Sequence, residues 1–265
     1  MKAQKLLTTL LFTSIFITSA LSQGFYAKLG GGYAMGMNKQ SMLFNYNTIN
    51  TDDGTTMSQF WYSLGKGITP ELEAGYMFNE HFGFGINATY LFGINNTRFN
   101  KSVDGENDIY EYFYSRMVLI SPYVILQPLN TDFSPYCKLG GTIGLGKYYR
   151  KSELNDSKTI QVYSGSIPVG ATIAVGFDYS LSESISFYAE INSLIMSWAP
   201  EKAELTQFIN EGVDELSELT VSQRETVFVE STESYTYKPE EPAVGLKTYY
   251  NFNNIGLRVG FKIKF

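Results

Sequence analysis

The 265-residue sequence has very little of the chemistry that many enzymes and binding proteins require. It contains one cysteine, Cys137, which excludes an internal disulfide, and one histidine, His81. Acidic residues outnumber basic residues by 26 to 20, whereas a nucleic-acid partner requires a basic surface. Beyond the N-terminal region, no stretch approaches the ~20 apolar residues of a membrane-spanning helix. These absences exclude a disulfide-stabilised domain, a nucleic-acid-binding protein and a helical membrane protein.

The N-terminal region has the three parts of a secretory signal peptide. Lys2 and Lys5 precede an apolar run, Leu6 to Ile17, and small residues follow up to Ser22. The apolar run is shorter than the ~20 residues that a spanning helix needs. We therefore expect residues 1–22 to be a signal peptide for Sec-dependent export through the periplasm, and residues 23–265 to form one mature domain.

The negative charge is concentrated in one segment. The formal net charge of −6 becomes −8 when Lys2 and Lys5 leave with the signal peptide, and Glu201 to Glu241 alone holds eleven acidic and three basic residues. Carboxylates suit Ca²⁺, but no D-x-D-x-D-G spacing is present and Asp52 to Gly54 is too short for a calcium loop. We interpret the segment as a solvated acidic loop, with divalent cations shared with lipid phosphates as the weaker hypothesis. The sequence predicts no metal site and no cofactor.

The sequence does contain strict two-residue alternation, most clearly at its C-terminus. In the stretch Asn254 to Phe265, the apolar residues of one face are Leu257, Val259, Phe261, Ile263 and Phe265. The other face carries Gly256, Arg258, Gly260, Lys262 and Lys264. This period of two predicts a β-strand with one apolar and one cationic face. The apolar face would meet a core in a soluble sandwich, or lipid in an outer-membrane barrel.

The C-terminal strand and the signal peptide together resemble the small outer-membrane β-barrel proteins of diderm bacteria, the porin-family barrels of OmpX, OmpW and OmpA type. In that family, a terminal Phe after alternating hydrophobic residues is the signal read by the barrel-assembly machinery, and the matching residues here are Val259, Phe261, Ile263 and Phe265. The 24 Gly, 20 Tyr and 19 Phe residues also favour a barrel, since aromatic girdles and glycines facing a crowded lumen are expected there. The resemblance implies a cell outer membrane location and contact with membrane lipid and lipopolysaccharide.

The alternation predicts an all-β, eight-stranded, antiparallel, up-and-down transmembrane barrel. The predicted strands are Phe25–Ala34, Thr69–Phe78, Phe82–Phe92, Phe113–Leu126, Ser134–Tyr149, Pro168–Tyr179, Ile185–Trp198 and the C-terminal strand. Three short turns alternate with four long connections, which indicates that the turns and both termini lie in the periplasm and the loops outside. We expect no further domain after the barrel.

The polar face of the strands predicts a charged lumen. The candidate inward residues are Lys28, Glu71, Glu73, Lys138, Asp178, Glu190, Arg258, Lys262 and, at the end, Lys264. An eight-stranded barrel is just wide enough for its own side chains, and buried charges are tolerated when they are paired. We therefore expect a salt-bridged polar plug. The alternative is a narrow charged path, with space left by the strand glycines.

Three local features carry separate expectations. Pro122 lacks a ladder donor and predicts a bulge or register irregularity in the fourth strand. Residues 244–253 are expected to extend the last strand beyond the membrane. Apolar residues at helical spacing after Pro200 predict a short amphipathic helix, despite Gly212 in its middle; they are Leu205, Ile209, Val213, Leu216 and Leu219.

These residues favour a non-enzymatic protein with a structural or surface-interaction role through long extracellular loops, including a partner bound by the loop 199–241. The alternative is a narrow porin-like or OmpW-like channel for small or hydrophobic solutes. Barrel enzymes of this type generally rely on a histidine near the outer rim or the lipid-facing surface, whereas His81 falls in a predicted periplasmic turn. Cys137 occupies an apolar position and is interpreted as a small lipid-facing side chain rather than a reactive thiol.

Overall fold

A computed structural model describes residues 24–37, 40–105, 107–129, 131–231 and 238–265, without the side chains of 40–45. The predicted signal peptide, residues 1–22, lies outside the described residues. Almost all of the described chain is β-structure. None of the helices in the described ranges is long and apolar enough to cross a membrane.

Eight strands in the described part of the chain form a closed antiparallel barrel. They are β1 (Phe25–Gly36), β4 (Gly67–Met77), β5 (Phe82–Gly93), β7 (Ile109–Leu126), β8 (Phe133–Leu154), β10 (Val169–Ser180), β11 (Ile185–Trp198) and β17 (Asn254–Lys264). Each pairs with the next in that order, and β17 returns to β1 with a register from Tyr26↔Lys264 to Gly36↔Asn254. The predicted fold class and strand number are therefore confirmed.

The two faces of the barrel wall follow the predicted alternation. Outward residues such as Leu29, Leu72 and Leu257 are exposed by 68%, 58% and 58%, whereas their neighbours along the strands point inward and are buried or nearly so. Cys137 also lies on the outward face, between the buried Tyr136 and Lys138. A shift of one residue in the pairing of two strands would turn every side chain to the opposite face. Because outward residues are apolar and inward residues largely polar, this difference fixes the register of each strand.

Three tight turns lie at the end of the barrel that holds Phe25 and Phe265. In the first of them Asn79 Oδ1 accepts hydrogen bonds from the backbone N–H groups of His81 and Phe82, which explains the predicted turn there. Pro122 interrupts the ladder between β7 and β8, since pairing stops at Ile120↔Ile143 and resumes at Tyr123↔Gly140. The register is the same on both sides, so the predicted bulge is wrong.

The long connections at the other end form a sheet instead of polar loops. Its strands are β2 (Gln40–Thr51), β3 (Gly54–Tyr62), β6 (Asn96–Lys101), β9 (Ser157–Ser164), β12 (Lys202–Asn210), β13 (Val213–Asp214), β14 (Glu225–Val229) and β15 (Ala243–Leu246). They pair with one another and with the continuing ends of β7 and β8. We call this assembly the loop sheet.

The predicted amphipathic helix after Pro200 is wrong. Its first half is strand β12, in which a register shift between Leu205 and Gln207 changes the alternation and so imitates a helical spacing. Glu211 and Gly212 both have positive φ and form the two-residue turn to β13, so the glycine that counted against a helix makes a hairpin. The described helical turns in this connection are a 3₁₀ turn at Leu216–Glu218 and α1 (Val221–Arg224).

The residues before the last strand agree with expectation in part. The sequence predicts that residues 244–253 extend that strand beyond the membrane. A two-residue strand, β16 (Tyr250–Asn251), does so: it pairs with the end of β11 in the register that β17 keeps, with Ser197↔Asn251 following Leu194↔Asn254. Strand β15 instead pairs in parallel with β14, which offers it a free edge.

Candidate functional site in the barrel interior

Eight of the charged residues that were predicted to face inward lie inside the barrel, and four of them are cationic and four anionic. They are Lys28, Lys138, Arg258 and Lys262 with Glu71, Glu73, Asp178 and Glu190. Seven are fully buried, and the Arg258 side chain is 11% exposed. Every one of them forms an ion pair within the set.

The first cluster lies nearest the termini and joins three strands. Asp178 on β10 accepts hydrogen bonds from Lys28 Nζ on β1 at 2.9 Å and from Lys262 Nζ on β17 at 2.7 Å. Each carboxylate oxygen therefore takes one ammonium group. One carboxylate with two lysines leaves this cluster with an excess positive charge.

The second cluster lies beside the first and carries the compensating negative charge. Lys138 Nζ donates to Glu73 Oε2 and to Glu190 Oε2, both at 2.7 Å. Arg258 Nη1 donates to Glu71 Oε2 at 2.7 Å and lies 3.7 Å from Glu190 Oε1. Because Glu190 contacts both cations, it connects the two halves of the cluster.

Tyrosines complete the network. Tyr136 donates to Glu190 Oε2 at 2.9 Å, Tyr188 donates to Glu71 Oε1 at 2.7 Å, and the hydroxyls of Tyr26 and Tyr123 are 2.7 Å apart. The Lys28 ammonium also lies over the Tyr136 and Tyr188 rings, at 4.1 and 4.6 Å from their centroids. The sequence analysis predicts paired charge in the lumen but not the contribution of tyrosine.

The inward glycines make room for these tyrosines rather than for solute. A Cβ at Gly30 would lie 2.0 Å from the Tyr188 hydroxyl, and one at Gly85 would lie 2.2 Å from the Tyr123 hydroxyl. At Gly75 the nearest atoms would belong to the Tyr26 ring, at 2.5 Å. The space that the alternative interpretation assigned to a path is therefore occupied by aromatic rings.

A small polar cavity of about 30 Å³ lies next to the second cluster. Four buried atoms of its lining residues have no hydrogen-bond partner in the protein: Glu73 Oε1, Asn192 Oδ1, Asn254 Oδ1 and Arg258 Nε. A cavity of this size has room for about two water molecules, and such groups are the partners that buried water requires. The cavity can hydrate the network, but it is too small for a nutrient-sized solute.

Beyond the cavity, towards the loop sheet, the lumen is filled by an apolar cluster that the sequence did not reveal. We call it the aromatic plug: Phe60, Tyr62, Leu64, Leu91, Phe113, Met117, Leu119, Tyr148, Tyr163, Leu194, Met196, Trp198, Ala203, Tyr250 and Phe252, with Phe228 packed against it. The Tyr148 and Tyr163 rings stack at 4.1 Å, and Trp198 meets Phe252 edge to face at 5.9 Å. Burial raises the pKa values of the Tyr62 and Tyr250 hydroxyls, so both remain neutral.

One ionic cluster in the loop sheet was also missed. Glu111 on β7 is buried and pairs with Arg98 on β6 and with Arg150 on β8. It thereby joins strand β6 of the loop sheet to the barrel strands β7 and β8. Sequence position gave no sign of this pairing, because its three members fall in segments that were expected to be loops or strand ends.

The other candidate groups remain apart from this network. His81 lies in a turn at the terminal end, with Nδ1 3.1 Å from the Gln127 carbonyl oxygen. Lys264 lies at the mouth of the terminal end, beside Lys262 and Phe265. Among the described residues no group of three or more His, Cys, Asp and Glu side chains could hold a metal ion. The interior arrangement supports charge pairing and packing.

Comparison with known sequences gives one family. The family model described as outer membrane protein beta-barrel domain matches residues 8–222, more than half of the chain. A comparison with curated proteins finds no match.

Comparison with solved structures gives several outer-membrane proteins at low identity. Neisserial surface protein A is 14% identical, with 92% of this chain and 98% of that chain covered and a TM-score of 0.38. The outer membrane protein OprG from Pseudomonas aeruginosa is 15% identical, with 92% and 97% covered and a TM-score of 0.46. The outer membrane protease OmpT from Escherichia coli is 10% identical, with 92% and 97% covered and a TM-score of 0.32.

Proposed function

Because the chain belongs to the outer membrane protein β-barrel domain family, we propose that it is a non-enzymatic protein of the outer membrane with a structural or surface-interaction role. In this proposal the barrel anchors the loop sheet, and the loop sheet meets the environment. The lumen stabilises the barrel and does not conduct.

The observation that carries this proposal is the two-layer filling of the lumen. On the terminal side, four cations and four anions pair with one another. On the loop side, the aromatic plug packs Trp198, Phe252 and their neighbours across the same opening. A solute would have to separate buried ion pairs and then displace a close-packed apolar cluster, and each step is costly.

The loop sheet supplies the surface for interaction. Large apolar side chains are exposed on its described residues; they include Met57, Trp61, Val227 and Leu246. The acidic segment 201–241 contributes β12 to β14 to the same sheet. A folded sheet offers a partner an ordered surface, so binding does not first have to order a flexible loop. An extracellular partner of segment 199–241 is part of this proposal, as are export by the Sec pathway and recognition of Val259, Phe261, Ile263 and Phe265 by the barrel-assembly machinery.

The first test is single-channel conductance of refolded mature protein in planar bilayers, after a heat-modifiable gel shift verifies the folded barrel. We expect no conductance steps over a range of salts and voltages, while a wide porin inserted in the same bilayers conducts. Discrete steps whose ion preference changes in Glu190→Gln would overturn the proposal in favour of the narrow channel.

A second experiment tests the orientation of the barrel on intact cells. An epitope inserted at the Glu211–Gly212 turn should be labelled from outside, because this turn lies at the tip of a loop-sheet hairpin. The matched insertion at Ser182–Glu183, in a turn at the terminal end, should be labelled only after the outer membrane is permeabilised. Labelling in the reverse order would contradict the proposed orientation.

A further inference from the structure

Two cations lie side by side on the outer wall of the barrel where β7 and β8 approach the loop sheet. Arg116 and Lys147 are direct cross-strand partners. Both side chains point away from the lumen, since Met117, the neighbour of Arg116, is buried inside. One step towards the barrel middle on this face, Val118 and Leu145 are apolar and exposed by 37% and 47%. The cation pair therefore marks the edge of the apolar belt.

Within the part of the chain that the structure describes, neither cation has an anionic partner. Arg116 Nη1 donates to the carbonyl oxygens of Gly93 and Ser115, at 2.6 and 3.0 Å, which fixes the guanidinium without neutralising it. Lys147 is exposed, and none of the ion pairs between described residues includes either side chain. Like charges directly opposite one another on a sheet are destabilising. An anion between them would remove that repulsion.

Aromatic rings lie around Arg116 on the same face. The Arg116 guanidinium lies 5.0 Å from the Tyr114 ring centroid and 5.8 Å from that of Phe92. Tyr114 stacks on Tyr149 at 5.0 Å, one step beyond the cations. Tyrosine is enriched where membrane proteins meet the head-group region. These contacts place the two cations at head-group depth with the guanidinium held in position.

The opposite end of the same two strands lacks this arrangement. Its outward positions carry Val124 and Leu126 on β7, and Pro135 and Cys137 on β8. On the same face of β8, the first acidic residue beyond Lys147 is Glu153, which already pairs with Lys151. The cationic character is therefore confined to the loop-sheet end of the β7–β8 wall.

We propose that Arg116 and Lys147 bind a phosphate group of an outer-leaflet lipid, of the kind carried by phosphorylated glucosamine glycolipids. Arginine can donate two parallel hydrogen bonds to phosphate, and lysine adds a point charge from the neighbouring strand. The acyl chains of such a lipid would lie along Val118 and Leu145. This inference rests on the orientation in the proposed function, with the loop sheet outside.

The test is titration of refolded mature protein with diphosphoryl lipid A in a detergent that contains no phosphate, with bound lipid quantified by native mass spectrometry. We expect Arg116→Gln/Lys147→Gln to bind lipid A about tenfold more weakly than the unaltered protein. The matched control is Lys202→Gln/Lys238→Gln, which removes two exposed lysines from the loop sheet side and should bind normally. Dephosphorylated lipid A and inorganic phosphate should both bind weakly, since one lacks the anion and the other lacks the acyl chains.

Equal affinity in the double variant and the control would overturn the proposal, as would equal binding of phosphatidylethanolamine. If the double variant gives no heat-modifiable band, Lys147→Gln alone tests the same point, because Lys147 is exposed; a loss of about threefold is expected. If the lipid-binding proposal failed in this way, the absence of conductance expected from the proposed function would still hold. Conductance steps would overturn the proposed function without changing the affinity for lipid A.

Discussion

The terminal half and the loop half of the barrel interior are filled by opposite chemistry. In the terminal half, buried lysines, carboxylates and tyrosines form a hydrogen-bonded network centred on Asp178 and Glu190. In the loop half, Trp198 and Phe252 belong to a cluster held by ring packing and apolar burial. Both halves fill the lumen, but only the first depends on every member keeping its charge.

This difference predicts different responses to mutation. A buried ion pair contributes little net stability, yet removal of one partner leaves a charge that water cannot reach. An apolar cluster loses stability in proportion to the volume removed, and the loss is partly recovered when neighbours relax. The terminal half should therefore be sensitive to small polar changes, and the loop half to changes of size.

The largest effect is expected from Asp178→Asn. Lys28 and Lys262 both pair with this carboxylate, so the substitution leaves two buried ammonium groups without their anion. We expect the free energy of unfolding to fall by about 5 kcal/mol, the upper end for breaking a buried pair. Urea titration followed by gel shift and circular dichroism measures it. Glu183→Gln, the same chemical change in an exposed turn, should have almost no effect; equal losses in both variants would contradict the pairing.

Trp198→Ala tests the loop half. Trp198 is fully buried against Tyr148 and Phe252, so its removal should lower the free energy of unfolding by about 4 kcal/mol. The matched control is Trp61→Ala, whose side chain is exposed and should contribute little. We also expect no conductance from the Trp198 variant, because the paired terminal half still closes the lumen. Conductance after this single change would show that the aromatic plug alone forms the seal.

The same contrast explains what the sequence reveals. Outward and inward positions differ strongly in the terminal half, so alternation identifies the strands and all eight interior charges. On β7 near the loop sheet the polarity is no longer inward: Phe113 and Met117 face the lumen while Arg116 faces outward, so the alternation of the terminal half is lost. The aromatic plug was missed for that reason. The pattern that could have revealed it is a run of apolar residues two apart on the inward face of a strand. In β11 this run is Leu194, Met196 and Trp198, and it follows the polar inward residues of the same strand.

Pairing could not be predicted from the sequence to the same degree. That Lys138 contacts Glu73 and Glu190 depends on which strands lie across the lumen, and period-two patterns carry no such information. The loop sheet was missed because its strands gain stability from edges that exist only after the barrel has formed, as β9 does from the end of β8. Sequence alternation therefore predicts the strands of the barrel wall. The ion pairs of the lumen and the loop sheet depend on which strands lie close together in the folded protein.

The smallest expected effect comes from Gly30→Ala, which adds one methyl group to the packed terminal half. The new Cβ would lie 2.0 Å from the Tyr188 hydroxyl and 2.4 Å from the Val259 carbonyl oxygen, so Tyr188 must move away from Glu71. We expect a loss of about 2 kcal/mol in the free energy of unfolding by urea titration, typical of overpacking. Gly141→Ala is the matched control, since the nearest atom to its Cβ, the Gly170 carbonyl oxygen, is 4.0 Å away. If both variants were equally stable, the glycines would be leaving unused space, and the terminal half would be open enough to reconsider as a path for solutes.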